Sequence, residues 1–277
     1  MYLRKGEKKM KKTKKIAAVL MTAVMSAALF AGCAQKEETA VNSLEAIKKA
    51  GVIKIGMDAG YAPFEFVDQD NKTVGFDVDL GNKIAEKLGV KAEFVNQDFN
   101  GIVLALTSDK FDMILSALSV TEDRKKEIAF AGPYLKSAQV VIAPAASTIN
   151  SVADLQGKTV GVQLGSTGEA AAQKLEGIKE VKSYSLVPDE LLDLVNGRID
   201  AVIVDQPVGG YYVNESVNKE AFKTLDEVLT EEEVGIGVEK DEAELIAEVQ
   251  KIYDGLVADG TMSELSVKWF GYDAYAK

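Results

Sequence analysis

Along this chain, short unbroken apolar runs alternate with stretches in which apolar side chains recur every three or four positions. The runs at 52–57, 113–115, 159–162 and 201–204 have the pattern of strands buried on both faces. The stretches between them have the pattern of helices packed by one face, and the alternation predicts an α/β architecture with mostly parallel sheets. In the first half the order is strand 52–57, a turn around Asp77, a helix over 78–88 with Leu80, Ile84 and Leu88 on one face, and a strand over 92–95. The second half repeats it as strand 159–162, the turn Leu164-Gly165-Ser166-Thr167-Gly168, a helix over 169–175 and a strand over 181–184. The two halves also echo each other in detail. Lys110-Phe111-Asp112-Met113 and Arg198-Ile199-Asp200-Ala201 each set a basic residue, an apolar residue and an aspartate before a buried strand.

Two lobes follow from this repetition. A glycine-containing strand at Glu233-Val234-Gly235-Ile236-Gly237-Val238 and an amphipathic helix carrying Ala243, Ile246, Val249 and Leu256 come too late to complete the second unit. The chain is therefore expected to cross back. Residues 43–136 and 229–277 would form a discontinuous first lobe and 137–228 the second, with strands near Ala138 and Glu233 linking them as a hinge.

The N-terminus changes the picture of where this body resides. Eight basic residues and one acid between Arg4 and Lys15 precede an apolar run over 16–30, followed by Ala31-Gly32-Cys33. This is the pattern of a secretory signal occupying residues 1–32, although an uncleaved anchor helix is an alternative, since the run approaches the length needed to span a bilayer. Phe30-Ala31-Gly32-Cys33 resembles the lipobox of bacterial lipoproteins, with phenylalanine where leucine is usual. The resemblance implies that Cys33, the single cysteine of the chain, is acylated and that 33–42 is a tether on the outer face of the cell membrane. Stable anchoring would take more than one lipid chain.

Charge and composition then exclude several partners. Without residues 1–32 the chain keeps 24 basic and 42 acidic residues, a formal charge of −18. Phosphate backbones and anionic surfaces would repel such a body, so nucleic acid is not an expected partner. The absence of histidine removes the usual general base, and with it the usual zinc ligand. No phosphate-binding glycine loop with lysine is present for ATP, and with no histidine and no thiol besides Cys33 neither a cofactor nor a metal is expected.

Candidate site residues lie just after the buried strands, where open α/β sheets bind ligands. These are Asp58, then Ser116, Ala117 and Ser119, then Gln163 through Ser166 and Thr167, then Asp205. Each has a plainer reading: Asp58, Ser119 and Asp205 as helix caps, and Gly165-Ser166-Thr167 as a helix-starting turn. Arg124 is the least comfortable of the set. It falls in the first turn of a helix begun by Thr121-Glu122-Asp123, where a cation opposes the helix dipole, so it requires a partner. A surface ion pair would supply one; so would an anion bound in a cleft. A free amino acid suits the second reading, because both its carboxylate and its ammonium must be paired when it leaves water. Arg124 would grip the carboxylate through two parallel bonds, aided by amides near Ser119 and Thr167. Asp205 and a carbonyl of Ser116 or Ala117 would hold the ammonium. With these groups divided between the lobes, binding and closure become one event.

At these positions the chain resembles the polar amino-acid family of periplasmic solute-binding proteins, the extracellular receptors of ABC importers. The resemblance covers nearly all of 43–271. It rests on Asp58-Ala59-Gly60-Tyr61-Ala62-Pro63-Phe64-Glu65-Phe66, Val74-Gly75-Phe76-Asp77-Val78-Asp79-Leu80, Phe111-Asp112, the block from Ser116 to Arg124, the run from Phe130 to Tyr134, Gly157-Lys158-Thr159-Val160-Gly161-Val162 and Lys268-Trp269-Phe270-Gly271. It implies two α/β lobes joined by two crossing strands, the type II periplasmic-binding-protein fold. It also implies ligand contacts at Asp58, Tyr61, Phe99, Ala117, Ser119, Arg124, Thr167 and Asp205, with Tyr61 and Phe99 stacking over the ligand side chain. As isolated aromatics both read as core residues. The implied partners are a free amino acid and ABC permease subunits, for a monomeric receptor.

Ligand identity is narrowed by two positions. Asp58 faces the side-chain pocket in cationic-amino-acid binders of the family, but glutamine binders carry an acid there too. Glutamine binders usually have lysine at the place of Gln163, and a neutral residue there, together with two rings, favours a guanidinium. Arginine is the leading expectation, ahead of lysine, histidine and glutamine; Gly168, where some cationic binders have glutamine, argues the other way. A dehydratase built on the same fold and a sensory ligand domain are the rivals from other classes.

Overall fold

The computed structural model describes residues 43–214 and 219–276. The expected signal segment, Cys33 and the tether lie outside the described residues. Among the described residues, no helix is long and apolar enough to cross a membrane.

One eight-stranded sheet runs through the molecule, and its order explains the two lobes. The strands are β1 (Val52–Met57), β5 (Lys91–Asn96), β6 (Met113–Ile114), β7 (Ile128–Pro144), β8 (Thr159–Gln163), β9 (Glu180–Tyr184), β10 (Ala201–Asp205) and β11 (Phe222–Glu239). They lie in the order β5-β1-β6-β11-β7-β10-β8-β9. In lobe 1, β1 pairs parallel with β5 and β6; in lobe 2, β8 pairs parallel with β9 and β10. Strands β7 and β11 lie between these groups and pair antiparallel from Ile128↔Glu239 to Pro144↔Phe222. One end of this ribbon meets β6 at Gly237↔Ile114, and the other meets β10 along 139–142. These are the two expected crossing strands. Residues 233–238 prove to be only the last third of β11, because its length is set by its pairing with β7 and not by its own apolar run.

Local sequence accounts for the flanking helices. In α2 (Phe76–Leu88), following α1 (Ser43–Ala50), Phe76, Leu80, Ile84 and Leu88 recur at four-residue spacing and are all buried. Gly89, at φ +77, closes the helix by donating its N–H to Glu86 O at 3.1 Å. The helix begins at Phe76, two residues before the expected start, so Asp77 sits in its first turn and not in a preceding loop. A three-stranded hairpin sheet of β2 (Gly60–Tyr61), β3 (Glu65–Val67) and β4 (Thr73–Val74) fills the connection. In lobe 2, α5 spans Thr167–Ala172, where 169–175 was expected, because the Ser166 hydroxyl caps the Glu169 N–H at 3.0 Å and starts the helix early.

The sequence echo between the halves corresponds to one structural device used twice. Asp112 accepts from Lys54 N at 2.7 Å and returns its own N–H to Lys54 O at 2.9 Å. Asp200 does the same to Thr159, at 2.8 Å in both directions. Each aspartate thus pins the start of its lobe's central strand. The apolar residue before it packs over a glycine of that strand: a Cβ on Gly56 would lie 2.4 Å from the Phe111 ring, and one on Gly161 would lie 2.6 Å from Ile199 Cδ1. The largest apolar cluster joins the lobes, running from Ile53, Phe64 and Phe76 to Val187, Leu191 and Val204.

Candidate functional site

The strand ends of both lobes converge on one cleft beside the crossing strands. Arg124 enters it from α4 (Glu122–Glu127), whose N-cap Thr121 accepts from the Arg124 N–H at 3.1 Å. The expected helix start is therefore present, and the cation reaches back past it. Its guanidinium donates to Ser119 O at 2.8 Å and, across the lobes, to Gly165 O at 3.2 Å, and lies 5.3 Å from the centre of the Phe99 ring. Burial lowers its proton affinity, against the charges of Asp205 and Glu232. Carbonyls, rather than a carboxylate, hold this guanidinium, so the arginine keeps capacity for an anion.

Asp205 closes β10 at the opposite wall and is 5% exposed. It accepts from Ser137 Oγ at 3.0 Å, from Gln139 Nε2 at 3.1 Å and from the Tyr61 hydroxyl of lobe 1. Burial and the nearby Glu232 charge raise its pKa from 3.8 to about 6. None of these three bonds is to the backbone of the helix that follows it. Tyr61 also stacks on Phe64 at 6.1 Å between centroids and belongs to the apolar core, as its plainer reading expected.

Asp58 follows β1 and is 3% exposed. Gln163, ending β8, donates to it across the lobes at 2.8 Å and also to Ser185 O at 3.2 Å. Burial raises the Asp58 pKa to about 6, and the Asp98 charge adds to the shift. Ser119 and Thr167 face each other from opposite lobes at 3.3 Å. Thr167 donates to Glu232 Oε2 at 2.7 Å and accepts from Gln139 Nε2 at 3.1 Å. Ser166 acts as a helix cap, as its plainer reading expected. The Ser116 hydroxyl turns inward, accepting from Asp58 N at 3.0 Å and donating to Glu65 Oε1 at 2.7 Å. A recess of about 650 Å³ opens beside Ser119, Arg124, Ser166, Thr167 and Glu232.

Several residues here were not singled out from sequence. Ser137 and Gln139 interrupt the apolar run of β7 two positions apart, which puts both on one face; that alternation was a signal. Glu232 offers none, because it sits in a run of three acids. Glu65 and Asp77 lie in the motifs that carry the family resemblance, yet their complete burial is visible only in three dimensions.

Two lobes hinged by paired crossing strands, with a cation and two buried acids divided across the intervening cleft, define a clamshell binding protein for a small charged ligand. The chain belongs to the bacterial extracellular solute-binding proteins, family 3, whose sequence profile matches residues 53–272. It is similar to the L-arginine-binding protein of Pseudomonas aeruginosa, at 35% identity over 80% of this chain and 89% of the relative. It is also similar to the L-cystine-binding protein TcyJ of Escherichia coli, at 31% identity over 90% and 94%. Among solved structures, a mutant of ArgBP from T. maritima shares the fold with a TM-score of 0.78 and 36% identity, covering 83% of this chain and 99% of that one.

Proposed function

We propose that the protein is a receptor that closes its lobes around one free amino acid, prefers a cationic one such as arginine, and delivers it to an ABC importer. The observation that carries this reading is the placement of Arg124 and Asp205 on opposite lobes of one cleft. Arg124 takes the ligand carboxylate, with the amides of Ser119 and Thr167. Asp205 takes the ammonium, with a carbonyl of Ser116 or Ala117. Asp58 receives the cationic end of the side chain, with Tyr61 and Phe99 beside it, while Gln163 and Ser166 shape the second-lobe wall. The relative that binds L-arginine supports this ligand class. Glutamine is the second reading, since the Gln163 amide already satisfies Asp58 in this cleft.

The role is binding and not catalysis. Residues 43–136 with 229–277 act as one lobe and 137–228 as the other, in a monomer. Cys33 carries the lipid that holds the receptor on the outer face of the membrane. A thermal-shift series of the soluble domain against the common amino acids tests the ligand: at 100 times its Kd, a ligand adds about 2.7 kcal/mol of stability. Turnover of a dehydratase substrate such as prephenate, with no stabilisation by any amino acid, would overturn the reading.

A further inference from the structure

Beneath the cleft, beside crossing strand β7, two acids lie fully buried close to each other. Glu65 and Asp77 are both 0% exposed. Asp77 Oδ2 accepts from Ala117 N and from the Tyr134 hydroxyl, each at 2.8 Å. Glu65 Oε1 accepts from Ser116 Oγ at 2.7 Å, and that same hydroxyl accepts from Asp58 N at 3.0 Å. The remaining oxygens, Glu65 Oε2 and Asp77 Oδ1, are buried with no other hydrogen-bond partner. The two carboxyl groups are within hydrogen-bonding reach of each other; they cannot both keep their charge in such a place, and one shared proton serves both. Asp77 receives two donors, which favour its ionised form, so the proton resides on Glu65. Burial, then the Asp77 charge, raises the Glu65 pKa well above its ordinary value. The other titratable groups near the pair are Asp58, Tyr134 and Tyr275.

Ala117 gives this pair its consequence. It sits at φ +44, a left-handed conformation that a non-glycine residue holds only when its surroundings impose it. Its N–H is the one Asp77 accepts, and its neighbour's hydroxyl is the one Glu65 accepts. We propose that Glu65 and Asp77 are positioning residues that share one proton and thereby hold the Ser116–Ala117 turn, and through Ser116 the Asp58 backbone, in the geometry that receives the ligand. This proposal rests on the receptor reading for its effect on binding, but not for the shared proton.

The test combines infrared difference spectroscopy with calorimetry. In Glu65→Gln the amide can donate to Asp77 and accept from Ser116, so the pair's geometry survives without an ionisable proton. The spectrum of wild type minus E65Q at neutral pH, without ligand, should show one band of a protonated carboxylic acid; Glu190, also buried, cancels between the two. A difference spectrum without that band overturns the shared proton. For binding, the probe is whichever of L-arginine, L-lysine, L-histidine and L-glutamine binds the wild type most tightly. E65Q should stay within about threefold of wild-type affinity near neutrality, and Glu65→Ala should lose at least about tenfold. As pH rises into the alkaline range, the wild type should weaken relative to E65Q, because the ligand's own titration is common to both. This second arm stands even where the alanine variant does not fold. Affinity unchanged in E65A, or a wild-type to E65Q ratio flat across alkaline pH, overturns the positioning role. A wild type that binds none of the four probes refutes the receptor reading instead, and the infrared result still decides the proton.

Discussion

Gln163 of lobe 2 donates its side-chain amide to Asp58 of lobe 1 at 2.8 Å, linking residues 105 positions apart across the cleft. The acid proposed to receive the ligand's side chain is therefore partnered from the opposite lobe. Replacing Gln163 with lysine would put a cation against Asp58. Arginine affinity is expected to fall at least about tenfold, from charge repulsion and from loss of the free acid, while glutamine affinity falls less. Calorimetric titration with both ligands measures the ratio, and equal losses would remove Asp58 from the specificity pocket.

Arg124 and Asp58 are assigned separable roles. Arg124→Ala should cost every amino acid about 2–5 kcal/mol, because the α-carboxylate they share is left unpaired. Asp58→Asn should mainly reorder the preference among them. A competition assay across cationic and neutral amino acids distinguishes the two outcomes, and matching profiles for both variants would show the pocket to be misassigned.

Binding and ligand-free stability should respond to pH with opposite signs. Burial raises both Asp58 and Asp205 from 3.8 to about 6, so the native protein favours their protonated forms more than the unfolded chain does. Their contribution to ligand-free stability is fully present below about pH 4 and is lost as pH rises towards 6, with an upper bound of about 3 kcal/mol per group. An ammonium ligand requires the ionised forms, so its affinity should weaken as pH falls through 6. Melting curves with and without arginine between pH 4 and 8 should converge on the acid side, and Asp205→Asn should flatten the ligand-free profile. A ligand-induced shift constant across that range contradicts the assignment.

The repeated strand-start device predicts a coupling between distant positions. Gly161→Ala sets a Cβ 2.6 Å from Ile199 Cδ1, and overpacking of this kind costs about 1–3 kcal/mol. Trimming the neighbour with Ile199→Val should recover part of that cost, as read by denaturant unfolding in a double-mutant cycle. Gly56→Ala in the other lobe meets three atoms of the rigid, buried Phe111 ring, at 2.4 to 2.6 Å, and should cost more. Additive effects of G161A and I199V would show that the contact does not govern the strand.

What could be read ahead of the fold was whatever repeats with a short period. The spacing of Phe76, Leu80, Ile84 and Leu88 marks a helix face wherever that helix packs, and the runs that became β1, β8 and β10 could only be interior strands. The matched aspartates 112 and 200 gave the two lobes, and the polar residues just past each strand gave the cleft, because strand ends in open sheets expose backbone and side chain together. The full lengths of β7 and β11 were not legible, since each strand is completed by the other.

The sequence by itself determined the interior strands, the buried faces of the amphipathic helices and the polar residues at the mouth of the sheet, since these depend on neighbours within a few residues. Only the tertiary structure decided the pairings: Tyr61 with Asp205 across 144 positions, Ala117 with Asp77 across 40, and Glu65 with Ser116 across 51. A carboxylate's protonation and its usefulness to a ligand depend on which donors surround it and how little water reaches it. Those conditions are set by segments distant along the chain, so acids that looked alike in sequence part once folded: Asp58 and Asp205 stand at the strand ends of the cleft with pKa values raised to about 6, while Glu65 and Asp77 lie wholly buried beneath it.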